Sequence, residues 1–384
     1  MERPGRIIVP AIIVVFCIIS YFSYRMMTAN NMDQLLSGDS PFGVHLVLQD
    51  SENKNIIQTA QMIVYPAEKH ILFYFVNTDA AFSEEEGGPI ALMSPGNANR
   101  FADYSEIKNS YYVYFDTNSL VRWIDMIEGV PYFIEEPIFY EKSDFQYPQG
   151  YNKFSGKQFV EFITSRLRAE QGKDYLTGVE RVYRAESALL TLFWNRVKLN
   201  DRLPSSGMRS LAFSLFKTDM NPDEIGSLIS YLVGKKGINA SVMEVPLELQ
   251  EKGTYYKPLN VLIVKDKRAK SIYRQFKEDL ESGKFRSDTF SVEILNGTEI
   301  SGLARKMQQY VQDRGPLVLD TNNYSYKPQN DTIVINRSGN VFNAEKLSEL
   351  LELDNQYVFF RRLNLEVDVT LILGNNLDKK KFHY

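Results

Sequence analysis

The sequence predicts an α/β protein. A mixed sheet flanked by helices is followed by a small C-terminal α/β domain, and one N-terminal transmembrane helix precedes both. Three observations support this prediction. Residues 7–24 form an apolar run without a charged side chain. Residues 41–284 alternate short β-branched and aromatic runs with segments of helical apolar spacing. Residues 285–384 show a second, shorter alternation of the same kind, and a length of 384 residues favours two or three folded units.

The apolar run of residues 7–24 is predicted to anchor the chain in a membrane. Its 18 residues would span about 27 Å as a helix, close to the ~30 Å hydrocarbon core of a bilayer. Arg3 and Arg6 precede the run, and after Arg25 the next lysine or arginine is Lys54. The positive-inside rule therefore places the N-terminus in the cytoplasm and the remainder of the chain outside it.

A cleaved signal peptide is the alternative interpretation of this run. The small residues of a cleavage site are missing, because Tyr21, Phe22 and Met26 are bulky. We therefore predict a cytoplasmic stub and anchor over residues 1–28 and a polar tether over residues 29–40. With either interpretation the body of the protein is exported, and the predicted location is the outer face of the cytoplasmic (inner) membrane.

Composition excludes several classes of function. The net charge of −4 offers no basic surface for nucleic acid. The single cysteine, Cys17, excludes an intramolecular disulfide and a cysteine-based metal site. His45, His70 and His383 lie far apart without the spacing of a zinc site, so a histidine-dependent active site is not expected. The many aromatic residues are expected mainly in the cores.

Helix and strand signals in residues 41–284 follow the order of a layered α/β domain, interrupted by a loop over residues 83–99. Asn221-Pro222-Asp223-Glu224 resembles a helix N-terminus, with a capping residue, a first-turn proline and two acids beside the positive end of the helix dipole. The predicted strands are 42–50, 60–65, 70–80, 130–140, 239–247 and 259–266, and the predicted helices are 119–127, 156–163, 179–198, 222–233 and 269–283.

Composition changes near residues 285–289, which sets the second domain boundary. After it, strands are predicted at 290–298, 332–338 and 367–374, with helices at 301–314 and 343–351. This C-terminal unit is long enough to fold alone. It shows no catalytic constellation, and Asn296-Gly297-Thr298 is interpreted as the turn between a strand and a helix, with a binding role as the alternative.

Three motifs in order resemble the LytR–CpsA–Psr (LCP) family of envelope glycopolymer transferases. They are IDMIEGVPYFI at 124–134, FSGKQFVEFITSRLR at 154–168 and ERVYRAESALLTL at 180–192. Residues 290–374 resemble the LytR C-terminal domain that often follows the LCP domain, through VEILNGTEISGLARKMQQYVQDRG and the closing DVTLILG. The resemblance implies an LCP-like mixed sheet over residues 41–284 and a LytR C-terminal-like domain over residues 285–384.

The resemblance also implies a chemistry. The family moves a glycopolymer phosphate from a polyprenyl pyrophosphate onto peptidoglycan, using arginines on the pyrophosphate, a divalent cation held by Asp, and an apolar tunnel for the lipid. By this resemblance Arg181 and Arg184 are the candidate catalytic residues, Arg166 and Arg168 would bind the substrate, and Asp79 would bind Mg²⁺. The implied partners are the cell membrane, a polyprenyl-pyrophosphate glycan and peptidoglycan.

The chain departs from the family pattern at several charged positions. Ile57-Gln58-Thr59-Ala60 stands where the family has Arg-Ser-Asp-Thr, and Thr78 and Thr164 each replace an arginine. Part of the family's Mg²⁺ site is therefore missing, and each lost charge-assisted contact would be worth roughly 1.5–3 kcal/mol. Two functions remain open. One is a divergent glycopolymer–peptidoglycan transferase, and the other is a non-catalytic envelope module that binds the lipid carrier, the wall or a protein partner.

Overall fold

A computed structural model describes residues 30–82, 89–138, 145–165, 174–203, 205–234, 237–254, 257–286, 289–353, 357–361 and 366–377. The predicted anchor, residues 7–24, lies outside these ranges. Within them, no helix has both the length and the apolar character that crossing a bilayer requires.

Helices and strands follow one another along the described chain, and several of them, such as the strand Asn109–Asp116, lie outside the predicted set. The strands are β1 (Phe42–Gln49), β2 (Ile56–Tyr65), β3 (His70–Val76), β4 (Asn109–Asp116), β5 (Val130–Ile134), β6 (Gly150–Phe154), β7 (Lys217–Thr218), β8 (Asn239–Glu244), β9 (Leu247–Thr254), β10 (Lys257–Val264), β11 (Ser291–Asn296), β12 (Leu317–Asn323), β13 (Ile333–Asn336), β14 (Tyr357–Phe359) and β15 (Val369–Leu373). The helices are α1 (Asn31–Ser37), α2 (Pro95–Ala98), α3 (Ala102–Ser105), α4 (Thr117–Met126), α5 (Gly156–Thr164), α6 (Asp174–Trp194), α7 (Arg196–Asp201), α8 (Ser206–Ser214), α9 (Pro222–Gly234), α10 (Asp266–Glu281), α11 (Leu303–Gln312) and α12 (Val341–Leu350).

The larger domain is built on a mixed six-stranded sheet, which confirms this part of the predicted fold class. The strand order is β7-β4-β1-β2-β3-β8. Strands β1, β2 and β3 are antiparallel neighbours, whereas β1 pairs with β4 and β3 pairs with β8 in parallel. Both parallel pairs are joined by long connections that carry helices, because parallel neighbours cannot be linked by a tight turn.

Both faces of the sheet are buried. Side chains alternate along β2, so that Met62 and Val64 enter one apolar cluster while Ile63 and Tyr65 enter another. Helices α4, α5 and α6 contribute to the first cluster, and α10 contributes to the second. Burial on both faces explains why the strand sequences are nearly continuous apolar runs.

The N-terminal end of α5 is held by a capping box and a close helix contact. The Ser155 hydroxyl accepts a hydrogen bond from Gln158 N, and the Gln158 side chain accepts one from Ser155 N. The Gly156 N–H donates to Asp125 Oδ1 at 2.7 Å, and a Cβ atom at Gly156 would lie 2.1 Å from Val121 O. Glycine is therefore required for α5 to approach α4 this closely.

The structure differs from the sequence prediction at the N-terminal edge of the domain. Residues 31–37, within the segment predicted as a polar tether, form helix α1. Asn30 caps this helix by accepting a hydrogen bond from Asp33 N, and Met32 is fully buried. The Asn31 amide donates to the Tyr111 hydroxyl at 2.7 Å. A single buried methionine and a long-range hydrogen bond fix the segment, and neither is visible as sequence periodicity.

The C-terminal domain is a five-stranded sheet of order β12-β11-β15-β13-β14 with α11 and α12 packed against it. Strand β15 runs parallel to β11 and antiparallel to β13. The predicted Asn296-Gly297-Thr298 turn is confirmed, because Asn296 Oδ1 accepts hydrogen bonds from both the backbone and the hydroxyl of Thr298. Thr298 is fully buried, which favours the structural interpretation of this turn.

The two domains contact each other through polar groups as well as apolar ones. The backbone N–H of Val242 in β8 donates to Gly339 O at 3.2 Å. Arg337 of the C-terminal domain forms an ion pair with Glu135 at 2.7 Å, and both side chains are buried. The Tyr324 hydroxyl donates to the carbonyl of Glu135 at 2.8 Å. The segment after β5 is therefore a principal docking point of the C-terminal domain.

Candidate functional site

An apolar cavity of about 310 Å³ lies between the six-stranded sheet and helix α6. Strands β1, β2 and β4 supply one wall, and helices α4, α5 and α6 supply the other. Apolar side chains form nearly all of the lining, and this volume is within the range of small-molecule sites. The lining residues are Leu46, Val47, Leu48, Gln58, Thr59, Ala60, Phe75, Val113, Phe115, Leu120, Trp123, Phe159, Ile163, Ala185, Ala188, Leu189 and Leu192.

Two polar residues of β2, Gln58 and Thr59, also line the cavity. Gln58 Nε2 donates to Ile163 O at 3.2 Å, and the Thr59 hydroxyl lies 2.9 Å from His45 Nε2. Burial lowers the pKa of His45 to about 4, so its imidazole is neutral at pH 7. Thr59 itself offers a neutral hydroxyl at the position where the LCP pattern has a carboxylate.

The described residues fit a Mg²⁺ site poorly. Mg²⁺ prefers oxygen ligands with near-octahedral geometry and is usually bound through one or two carboxylates. Asp79, the predicted ligand, forms an ion pair with Arg181, and Thr59 supplies no charge. Over the described ranges, no three His, Cys, Asp or Glu side chains converge as a metal-binding group.

Arg181 and Asp79 lie together beside the cavity. Arg181 Nη2 is 3.3 Å from Asp79 Oδ1 and donates to the Thr78 hydroxyl at 3.0 Å. The Thr78 hydroxyl in turn donates to Ile57 O at 2.9 Å. Ala185, one helical turn after Arg181, lines the cavity. The structure thus brings two of the sequence-predicted residues into contact, one neutralising the charge of the other.

The Arg184 side chain donates hydrogen bonds to carbonyl groups at the C-terminal end of helix α5. Its Nε donates to Phe162 O at 2.8 Å, its Nη2 donates to Ser165 O, and its guanidinium lies over the Phe162 ring at 5.6 Å. Burial lowers the pKa of Arg184 to about 10, so the group stays charged at pH 7. A cation at a helix C-terminus satisfies carbonyls that have no intrahelical partner. These contacts favour a structural role for Arg184, and its catalytic role stays a prediction.

The predicted substrate-binding residues, Arg166 and Arg168, lie outside the described residues, so their roles stay predictions. Thr164, which replaces a family arginine, turns its hydroxyl back to Val160 O at 2.7 Å within α5. Sequence reasoning missed Gln58 and the His45–Thr59 contact. Two polar residues inside an otherwise apolar, doubly buried strand were a usable signal, because buried polar groups need partners.

Comparisons with known proteins give one family match and several solved structures of similar fold. Residues 289–376 match the family described as LytR cell envelope-related transcriptional attenuator. A comparison with curated proteins found no match. Protein gbs0355 from Streptococcus agalactiae is similar in structure, with a TM-score of 0.50 and 13% identity over 66% of this chain and 91% of that chain.

Two further solved structures are similar at a lower score. B. subtilis TagV has a TM-score of 0.48 and 13% identity over 64% of this chain and 98% of that one. TagT, solved bound to LIIa-WTA, has a TM-score of 0.46 and 13% identity over 63% of this chain and 91% of that one. At these identities the likeness shows the fold alone.

Proposed function

We propose that this protein is a non-catalytic envelope module that binds a polyprenyl lipid carrier. The premise is that residues 289–376 form a LytR C-terminal domain and that the domain before it has the fold of LCP proteins. The hydrocarbon chain of the carrier occupies the cavity between the sheet and α6. The single observation that carries the proposal is the nearly uniform apolar lining of that cavity.

The cavity suits a hydrocarbon because its walls offer almost no hydrogen-bonding groups. Leu189 and Leu192 of α6 face Phe75 of β3 and Phe115 of β4 across the space. Removing apolar surface from water contributes roughly 25 cal/mol per Å², so an extended lipid chain gains affinity along its length. A polar ligand would leave its donors and acceptors unpaired there, which costs about 1–3 kcal/mol per group.

The charged groups support binding better than transfer. A pyrophosphate in a transfer reaction needs several converging cations and a metal ion to stabilise its charge. Arg184 is engaged by the carbonyls of α5, and Arg181 is paired with Asp79. The transferase alternative rests on the position of the Arg181–Asp79 pair beside the cavity, and on the predicted substrate-binding roles of Arg166 and Arg168.

Lipid binding is tested with the full chain in detergent micelles. The chain has 2 tryptophans, and Trp123 lines the cavity, so in a Trp194→Phe background all indole emission comes from that site. We expect a saturable change in Trp123 emission on adding polyprenyl pyrophosphate. In the same background Ala185→Phe fills the cavity and should weaken binding by about 10-fold or more, because overpacking and lost contact act together.

The matched control is Leu211→Phe, which adds a ring on the exposed surface of α8, where the leucine is 57% exposed. Equal affinity of the two phenylalanine variants would contradict the cavity as the binding site. Release of polyprenyl product on adding Mg²⁺ and peptidoglycan would contradict a non-catalytic module and favour the transferase.

The proposal includes an anchor at residues 7–24, with the domains on the outer face of the cytoplasmic membrane. It rests on the uncharged apolar run and on the basic residues before it. A reporter that is active only outside the cytoplasm, fused after Tyr384, should be active in cells. A reporter that is active only in the cytoplasm, fused at the same place, should be silent, and the reverse pattern would overturn the topology.

A further inference from the structure

A second cavity, of about 390 Å³, lies where the two domains meet. Its lining comes from β5, β6 and the end of α6 in the larger domain, and from β14 and Asp331 in the C-terminal domain. Helix α6 borders both cavities, because Leu189 and Leu192 line the first and Thr191 and Trp194 line the second. Unlike the first cavity, this one has charged side chains, Lys198 and Asp331, among its aromatic rings.

Aromatic rings form the walls of this interdomain cavity. Tyr151 is 54% exposed, and its ring packs edge-on against Phe133 with centroids 5.2 Å apart. The Trp194 and Tyr357 rings lie 4.4 Å apart, one from each domain. Aromatic faces carry partial negative charge, so they attract the polarised C–H groups of a ring that stacks on them. The exposed Tyr151 ring is therefore open to a ligand ring that stacks on it.

Polar groups lie among these rings. Asn195, Lys198 and Asp331 line the same cavity. Tyr357 contributes its ring to this lining, whereas its hydroxyl is buried and not accessible from the cavity. The polar groups that a ligand in the cavity can reach are therefore those of Asn195, Lys198 and Asp331.

We propose that this interdomain cavity binds a neutral saccharide, whose ring stacks on Tyr151 and whose hydroxyl groups bond to Asn195 and Asp331. Lys198 and Asp331 carry opposite charges, so the lining has no net charge to attract a polyanionic polymer. Hydroxyl-rich rings with apolar faces match walls that offer both aromatic surface and hydrogen-bonding groups. The site needs residues of both domains, so it exists only while they are docked.

The test uses the full chain with Trp123→Phe, which leaves Trp194 in the interdomain cavity as the only indole. The probes are N-acetylchitotetraose and maltotetraose, which separate recognition of N-acetylhexosamines from recognition of plain hexoses. We expect a saturable change in Trp194 emission with at least one of them. Tyr151→Ala should weaken that binding about 10-fold through loss of stacking. Asp331→Ala, which removes a hydrogen-bonding group of the lining, should weaken it by a smaller factor.

Tyr326→Ala is the matched control, because Tyr326 is also partly exposed, at 37%, and does not line this cavity. Its affinity should equal that of the parent. No response to either saccharide, or equal affinity of the Tyr151 and Tyr326 variants, would overturn the proposal. A response only to a polyanionic glycopolymer would also overturn it. Lipid binding is read separately through Trp123, so this inference and the proposed lipid function fail independently.

Discussion

Replacing Arg337 by methionine should lower the free energy of unfolding by about 3–5 kcal/mol, which is the usual cost of leaving one partner of a buried ion pair behind. The Arg337 side chain is 1% exposed and that of Glu135 is 2% exposed. Arg337 donates to Glu135 Oε1 at 2.7 Å, to Thr370 Oγ1 at 3.0 Å and to Phe360 O at 2.8 Å. Methionine fills much of the volume but replaces none of these three contacts.

Urea denaturation of the full chain measures this loss, with Arg305→Met as the control. Arg305 is an exposed residue of α11, and its replacement should change stability by no more than about 0.5 kcal/mol. Adding Glu135→Gln to Arg337→Met should recover part of the loss, because the remaining buried charge is then removed. A change below about 1 kcal/mol for Arg337→Met would show that the ion pair does not hold the domains together.

The second large effect is a fall in stability with rising pH. Arg361 of the C-terminal domain contacts two carboxylates, Glu186 of α6 and Glu244 of β8. One cation cannot neutralise both, so a fully ionised cluster has a net negative charge. Burial raises the pKa of Glu244 to about 7 and the pKa of Glu186 well above its ordinary value, while Arg361 opposes both shifts.

Between about pH 4.5 and pH 7, the folded protein therefore holds a proton on Glu244 that the unfolded chain has lost. Stability falls with pH wherever the folded state binds more protons, so the free energy of unfolding should drop by about 2–3 kcal/mol across this window. Below the window both states are protonated, and above it both are ionised, so the contribution of Glu244 is constant there.

Urea denaturation at pH 5 and pH 8 tests this dependence. Glu244→Gln should reduce the difference in stability between the two pH values, because glutamine does not titrate. Glu248→Gln is the matched control: Glu248 is a nearby glutamate with a 48% exposed side chain paired with Lys265, and its replacement should leave the difference unchanged. Stability that rises from pH 5 to pH 8 and is insensitive to Glu244→Gln would contradict the proposed titration.

The Arg337–Glu135 ion pair and the contacts of Arg361 with Glu186 and Glu244 attach the C-terminal domain to the larger domain. Glu135 follows β5, and Glu186 lies on α6, the helix that borders both cavities. The C-terminal domain is therefore attached to the elements that form the walls of both proposed binding sites. Loss of either ion pair should change the shape of the interdomain cavity more than the shape of the apolar cavity.

Local signals in the sequence were sufficient for the strongly patterned elements. The predicted capping residue Asn221 correctly marked the start of α9, and Asn221 and Glu224 exchange reciprocal hydrogen bonds at 2.9 Å. Strands β1, β2 and β3 were found because burial on both faces makes them apolar throughout. Strands β9 and β12 were missed because they are rich in polar residues. Their pairing with β10 and β11 depends on tertiary contacts and not on the local sequence pattern.

What the sequence predicted by itself was the strongly patterned helices and strands, a division near residue 285 and the candidate charged residues, since periodicity, capping and composition are local properties. Only the tertiary structure decided what those charges do. Arg184 binds the end of α5, Asp79 is neutralised by Arg181, and Glu186 faces Arg361 from the other domain. The energy of a charge depends on its burial and on partners distant in sequence, and neither is encoded in the local pattern.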